Sequence, residues 1–158
     1  MFGTCTQSAE HVVKKPSTIH FIYFSDTQTA KTRKNSLAAN HYIRGKIIPK
    51  LQQIKDYELD AMIYTGGNFS RDTLESVLYH LNSQKGDIIL FLFTGHGGND
   101  KKSEFPQIDF FKKGEKGRKV IQHKHLISIY KELKAKPHKL LIVAAESCNE
   151  YLDSYSIN

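Results

Sequence analysis

A histidine and a cysteine each stand at the end of a long apolar run. His96 closes IILFLFTGH, which begins at residue 88, and Cys148 closes LLIVAAESC, which begins at residue 140. A thiolate is a strong nucleophile, and a neighbouring imidazole can take the proton of the thiol. Two such runs, as adjacent parallel strands, would bring both residues to one edge of a sheet. The pair therefore predicts nucleophilic catalysis by a Cys–His dyad.

Each residue also has a plain structural interpretation. A histidine between glycines is commonly a loop residue, and a cysteine after an apolar strand is commonly a small buried hydrophobe. The joint placement favours catalysis over either alternative. Gly97 strengthens it, because a residue without a side chain lets the backbone approach a substrate and offer its N–H to an oxyanion. The N–H of Cys148 is the expected second donor.

Strands that alternate with helices must position this pair. We predict four continuously apolar strands and three amphipathic helices, which indicates a parallel sheet covered on both faces. The predicted strands are 18–24, about 60–65, 87–94 and 139–148. The first predicted helix has an apolar side of Ile43, Ile47, Leu51 and Ile54 and is interrupted near Gly45 and Pro49. The second begins at the N-cap Ser70, and the third covers 122–135.

Two segments have no helical pattern. TQTAKTRKN, which follows the first strand, is polar and basic and is predicted to be a loop. Residues 99–119 form a Lys- and Gly-rich insertion that we expect to be loop-like and mobile. Within it, FPQIDFF is predicted to form a short exposed hairpin.

The totals favour one globular domain. The chain has 158 residues and 39% hydrophobic residues, and we divide it into a flexible leader, 1–17, and a domain, 18–158. No apolar run approaches the ~18 residues of a membrane span, and the first residues lack the apolar core of a signal peptide. Cys5 and Cys148 make no disulfide framework. We therefore expect a soluble, cytoplasmic protein.

The net charge of +7 comes from 23 Lys and Arg against 16 Asp and Glu. The basic residues look scattered, without an aromatic-interleaved stripe, and we interpret them mainly as a solvated surface. No nucleic-acid or membrane partner is predicted. His123 and His125 alternate with lysines and lack acidic or cysteine partners at ligand spacing, so no metal site is predicted.

The two motifs together resemble the caspase-like cysteine peptidases. FLFTGHGG is similar to the Tyr-Ser-Gly-His-Gly signature of metacaspases, and AAESCNE is similar to their Asp-x-Cys block. The separation of 52 residues matches the roughly 50 between histidine and cysteine in caspases. Legumain-type and gingipain-type peptidases share the arrangement, so the superfamily is better indicated than the branch.

The resemblance implies a three-layer α/β/α sandwich with a mostly parallel central sheet. It implies a cysteine endopeptidase with catalytic His96 and Cys148 and with Gly97 and Cys148 as oxyanion donors. Asp26 and Glu146 would line a pocket for an Arg or Lys side chain of a polypeptide substrate, although Asp26 could instead cap its loop and Glu146 could pair with a lysine. Calcium is the one cofactor that the resemblance suggests, and no acidic cluster of the sequence supports it.

The chain departs from the family in two places. Asn149, Glu150 and Tyr151 replace the small turn that usually follows the nucleophile, and the C-terminal strands of the family's sheet have no counterpart after Cys148. Three explanations stay open: the large fragment of a processed peptidase, a minimal enzyme, or a non-catalytic relative. The expected partner is a small-subunit fragment or a second copy, and the alternative function is an inactive binding or scaffold module.

Overall fold

The computed structural model describes residues 16–99, 105–113, 119–147 and 150–151. Its strands are β1 Ser17–Ser25, β2 Tyr57–Thr65, β3 Ile88–Gly95, β4 Gly97–Asn99, β5 Gln107–Lys113, β6 Lys119–His125, β7 Leu140–Ser147 and β8 Glu150–Tyr151. Its helices are α1 Ala30–Tyr42, α2 Ile48–Leu51, α3 Arg71–His80 and α4 Leu126–Lys134, with a π-helical segment, Ile43–Ile47, between α1 and α2.

The central sheet is parallel throughout, as predicted. Its order is β2-β1-β3-β7, and each neighbouring pair runs in the same direction. One face packs on α3 and α4 through the larger apolar core, and the other packs on the π-helical segment and α2 through a smaller one. Burial on both faces explains why the strands are apolar without alternation. The chain is an α/β sandwich.

The prediction of a loop at TQTAKTRKN is wrong for its second half, because α1 begins at Ala30. This helix buries polar side chains: Thr32 and Ser36 are its buried residues. The hydroxyl of Ser25 donates to the carbonyl of Ser36 over 3.3 Å. A helix that packs through Ser and Thr leaves no apolar periodicity in the sequence.

The interruption predicted near Gly45 and Pro49 is confirmed. The chain passes from α1 into the π-helical segment and then into α2, where Pro49 lies in the first turn. Ile47 before α2 is itself helical, so Pro49, which has no N–H, removes one hydrogen bond from a continuing helical ladder, and this explains the interruption. Ile54, expected on the apolar side of this helix, lies beyond α2 and is 41% exposed.

The described part of the insertion, residues 105–113, is not the exposed, loop-like segment that we expected, and residues 100–104 and 114–118 lie outside the described residues. FPQIDFF supplies most of β5, which pairs antiparallel with β6, so residues 122–125 belong to a strand and the last helix begins only at Leu126. Ile108 and Phe110 are 0% and 1% exposed. The Phe110 ring meets the Phe24 ring edge-on, with centroids 6.2 Å apart. The hairpin is therefore part of the larger core.

A buried cation fastens this hairpin to the helices. The Lys124 side chain is 9% exposed, and its Nζ lies 2.9 Å from both carboxylate oxygens of Glu75 on α3 and 2.7 Å from Glu132 on α4. These contacts lower the pKa of Glu75, although partial burial acts in the opposite direction. Since a buried ammonium is costly without partners, both carboxylates are part of the packing.

A histidine joins two acids at the amino ends of the strands. The buried ring of His20 has Nδ1 3.2 Å from Asp60 and Nε2 3.2 Å from Asp87. Burial alone would raise the pKa of Asp87, but the amide N–H groups of Thr18 and Gln84 and the His20 ring lower it below the usual range. This carboxylate thus connects β1 to the turn before β3.

No helix among the described residues combines the length and apolar composition needed to cross a bilayer. The predicted leader, 1–17, lies outside the described residues except for its last two, and Ser17 already belongs to β1.

We expect Asp87→Asn to lower the free energy of unfolding at pH 7 by about 1–3 kcal/mol, because two backbone amides lose a charged acceptor. The pKa of Asp87 is lower in the folded chain, so its stabilisation is complete above the unfolded value of about 4 and is lost as the pH falls through the folded value. Urea denaturation between pH 7 and pH 3 should show the deficit shrinking. The exposed Asp56→Asn is the control, and a deficit that does not change with pH would contradict this account.

Candidate active site

The carboxyl ends of β3 and β7 meet, as the sequence predicted. In the parallel register Thr94 is opposite Glu146 and Gly95 is opposite Ser147. His96 therefore directly follows one member of the last pair, and Cys148 directly follows the other in the sequence. Cys148 itself lies outside the described residues, so the structure gives the placement of the half-buried His96 and of the residue before the cysteine.

The chain beyond the cysteine returns to the same segment. β8 pairs in parallel with β4, with Glu150 opposite Gly98 and Tyr151 opposite Asn99. The described residues on both sides of 148–149 are thus paired with the segment that carries His96. This second pairing has no signal in the sequence, because β4 and β8 are only three and two residues long.

Gly97 is where the two motifs touch. A Cβ placed on it would lie 2.5 Å from the carbonyl oxygen of Gln107 and 2.9 Å from Cβ of Ser147. Both distances are shorter than van der Waals contact, so only glycine fits between β5 and the end of β7. From the sequence we expected Gly97 to let the backbone approach a substrate. In the structure Gly97 is packed closely against Ser147, the residue before Cys148.

Gly95 has a similar constraint on the other side of His96. A Cβ there would lie 3.1 Å from Cβ of Asp26 and 3.0 Å from the Phe93 ring. The amide of Asp26 donates to the carbonyl of Thr94 over 2.9 Å, which continues the pairing of β1 with β3. His96 is consequently positioned between two glycines that are both in tight contact.

The backbone of His96 is fixed by the hairpin. Its carbonyl accepts a hydrogen bond of 2.9 Å from the amide of Asp109. This bond makes Gly97 and Ile108, which are opposite each other, a non-hydrogen-bonded pair of the antiparallel ladder. The Gly97 N–H therefore points away from β5, and β8 lies on that side of β4.

Asp26 is buried, and its carboxylate is occupied by its own loop. Oδ1 accepts from the amides of Gln28 and Thr29 over 3.1 and 3.0 Å, and Oδ2 accepts from the Thr32 hydroxyl over 3.2 Å. These bonds organise the start of α1. The geometry matches the capping role that the sequence left open for this residue.

Glu146 is exposed and lines a cleft between α1 and the ends of β3 and β7. Two neighbouring cavities, of about 220 and 550 Å³, share Asn35, Thr94 and Glu146. The smaller one also contains Lys31 and Ser147, and the larger one contains Tyr42 and apolar residues such as Leu92. Of the described residues that line the larger cavity, Glu146 alone is charged.

Sequence reasoning missed two parts of this region. Lys31 and Asn35 line the cleft but belong to the segment that was predicted to be a loop. The side chains of Asp109 on β5 and His123 on β6 are in hydrogen-bond contact, with 2.7 Å between Oδ1 and Nδ1, and the amide of Asp109 holds the His96 carbonyl. The alternation of histidine and lysine in β6 was visible, but its partner was not, because Asp109 lies 14 residues earlier.

No three His, Cys, Asp or Glu side chains converge as metal ligands in the part of the chain that the structure describes. The region can instead present an imidazole, backbone N–H groups and a carboxylate-lined cleft. These are components of acyl-transfer chemistry once a nucleophile is added.

We expect Gly97→Ala to lower the free energy of unfolding by about 1–3 kcal/mol, because a new methyl group must displace the Gln107 carbonyl or Ser147. Gly45→Ala is the matched control, since its Cβ meets nothing within 4 Å and its backbone is helical. Chemical denaturation of both variants tests this, and equal stability of the Gly97 variant and the native chain would disprove the close contact.

Comparison of the chain with protein-family models, with curated proteins and with solved structures gave no match.

Proposed function

We propose that the chain is a cysteine endopeptidase in which Cys148 is the nucleophile and His96 the base. The observation that carries this proposal is the double pairing around the cysteine, with Ser147 opposite Gly95 and Glu150 opposite Gly98. Only two residues separate Ser147 from Glu150. With about 3.8 Å between successive Cα atoms, this short connection supports a thiol within reach of the imidazole.

In the proposed reaction His96 takes the thiol proton, and the thiolate of Cys148 attacks the carbonyl carbon of the scissile peptide bond. The tetrahedral intermediate collapses when the C–N bond breaks, and the leaving amine takes the proton from the imidazolium. Water, deprotonated by His96, then hydrolyses the thioester and returns the thiol. The Gly97 N–H, which points to the β8 side, and the Cys148 N–H would stabilise the oxyanion.

The cleft supports cleavage after a basic residue. An Arg or Lys side chain has a long apolar stem and a cationic end, and the larger cavity offers apolar walls at Leu92 and Ile43 and one carboxylate at Glu146. Asp26 would contribute indirectly, by holding the start of α1 that forms the opposite wall.

The architecture supports a caspase-like sandwich at a level finer than the α/β class. The histidine motif and the cysteine motif follow two adjacent parallel strands, and helices pack on both faces of that sheet. In this proposal the domain acts on polypeptides and forms its complete cleft with a small-subunit fragment or with a second copy.

A scaffold function is the second candidate, and the edge of the sheet favours it. Among the described strands β7 lies at one edge of the central sheet, and its Leu140 and Ile142 are 45% and 49% exposed. An open apolar edge is a ready surface for another strand. A module that had lost catalysis could keep this surface and bind a partner.

A cysteine-reactive fluorescent probe separates the two candidates. In a Cys5→Ser background we expect rapid labelling at pH 7, no labelling after Cys148→Ala, and labelling at least about tenfold slower after His96→Ala, because the thiolate loses its base. His138→Ala, at the other end of β7, is the control and should label normally. Native labelling as slow as that of an unfolded thiol would favour the scaffold.

A panel of fluorogenic peptides tests the specificity. We expect preference for Arg or Lys at the cleaved position, and a fall of about 10–100-fold in kcat/KM for these peptides after Glu146→Gln, because a buried cation would lose its charged partner. Glu58→Gln, an exposed acid near the amino end of β2, should leave the rate unchanged. A preference for an acidic residue, or full activity of the Glu146 variant, would refute the basic pocket.

A further inference from the structure

One helical layer of the domain carries basic residues and no acidic ones. Residues 27–55 contain seven Lys and Arg and no Asp or Glu, and the other 16 Lys and Arg equal the 16 Asp and Glu of the whole chain. The charge of this segment alone equals the net charge of the chain, and six of its seven cations lie within α1, the π-helical segment and α2, which follow one another without a break.

Within the described residues, these cations are not paired with acids. All seven side chains are exposed: Lys31, Arg33, Lys34, Arg44, Lys46, Lys50 and Lys55. None forms an ion pair with a carboxylate of the described residues, and the one hydrogen bond in the group joins Arg44 Nε to the Asn40 amide oxygen over 3.1 Å. Like charges that are neighbours on a helix repel each other, so an anionic partner bound to this layer would relieve that repulsion.

The cations of this layer are exposed, and one of them lies at the cleft. Thr32, Ser36 and Ile43 are the buried residues of α1 and the π-helical segment, whereas Arg33, Lys34 and Arg44 are exposed. Lys31 lies at the amino end of the layer and lines the cleft beside Ser147 and Glu146. The basic surface thus begins at the candidate active site and extends away from it.

We propose that this layer, from Lys31 to Lys50, is a docking surface for an acidic segment of the polypeptide substrate. From Lys31 to Arg44 the helix extends by roughly 20 Å at about 1.5 Å per residue. An extended peptide covers that length with about six residues. The substrate would therefore carry an acidic segment within about six residues of the bond that is cleaved in the cleft.

Other polyanions fit this surface less well. Single-stranded nucleic acid is bound on aromatic platforms, and the aromatic ring of α1, Tyr42, lines the cleft wall with Ala38 instead of lying among the outer cations. A membrane-surface helix needs an apolar face to insert, and the large apolar residue exposed on the outer side of α1 is Leu37 alone among the described residues. Continuity with the cleft favours a polypeptide.

A binding measurement tests the surface without relying on catalysis. The probe is a fluorescein-labelled peptide of alternating Glu and Gly, and anisotropy is measured at low salt with the full chain in its Cys148→Ala form. We expect saturable binding that weakens as salt rises, because screening shortens to about 8 Å at physiological ionic strength. The triple variant Arg33→Gln, Lys34→Gln, Arg44→Gln should bind about tenfold more weakly.

The matched control removes three positive charges from the opposite side of the sheet, as Lys85→Gln, Lys131→Gln, Lys134→Gln. It should bind the acidic peptide nearly as well as the native chain. Equal losses in both triple variants would show a net-charge effect and overturn the proposal. Tighter binding of a single-stranded oligonucleotide or of phosphatidylserine vesicles than of the acidic peptide would also overturn it, in favour of those partners.

The role of the surface in substrate selection rests on the proposed peptidase function, whereas the binding result does not. If the enzyme cleaves peptides, an acidic segment six residues from the cleaved bond should raise kcat/KM, and the helix triple variant should abolish that gain while it retains the rate on a neutral peptide. Binding without cleavage would remove the peptidase proposal and keep the docking surface. Cleavage at a rate that does not depend on the acidic segment would keep the peptidase proposal and remove the docking surface.

Discussion

The arrangement of the candidate site depends on the contact between Gly97 and Ser147. The parallel register of β3 and β7 brings the two strand ends side by side, and a side chain at position 97 would collide there with the Gln107 carbonyl and Ser147. Because Gly97 has none, the chain after His96 can pass between the Gln107 carbonyl and Ser147. The hairpin, the sheet edge and the cysteine segment are all packed around this one point.

The amino and carboxyl ends of the central strands differ in how their polar groups are paired. At the amino ends, the ring of His20 and the carboxylates of Asp60 and Asp87 satisfy each other and nearby backbone amides. At the carboxyl ends, the cavities beside the exposed carboxylate of Glu146 leave room for a ligand. An open α/β sheet with parallel strands favours this division, because loops at the carboxyl ends diverge toward solvent.

The sequence predicted the parallel sheet, the N-cap at Ser70, whose Oγ accepts from the Thr73 amide, and the placement of His96 at a strand end. These features follow from apolar runs and local capping chemistry, which act over a few residues. The sequence did not predict α1, whose buried side chains, Thr32 and Ser36, are polar. Nor did it predict the pairing of β4 with β8, because both strands are short and lie far apart in the chain. Neither situation leaves a periodic signal in the chain.

The hairpin of β5 and β6 illustrates a wider consequence. Phe110 fills the core between Phe24 and Phe69, and Lys124 on the neighbouring strand is held by acids from two helices. The segment that looks like an insertion in the sequence therefore cannot be trimmed like one. A domain without the hairpin would expose aromatic rings and would leave the carboxylates of Glu75 and Glu132 without Lys124. The smallest form that can fold therefore has to include the hairpin strands.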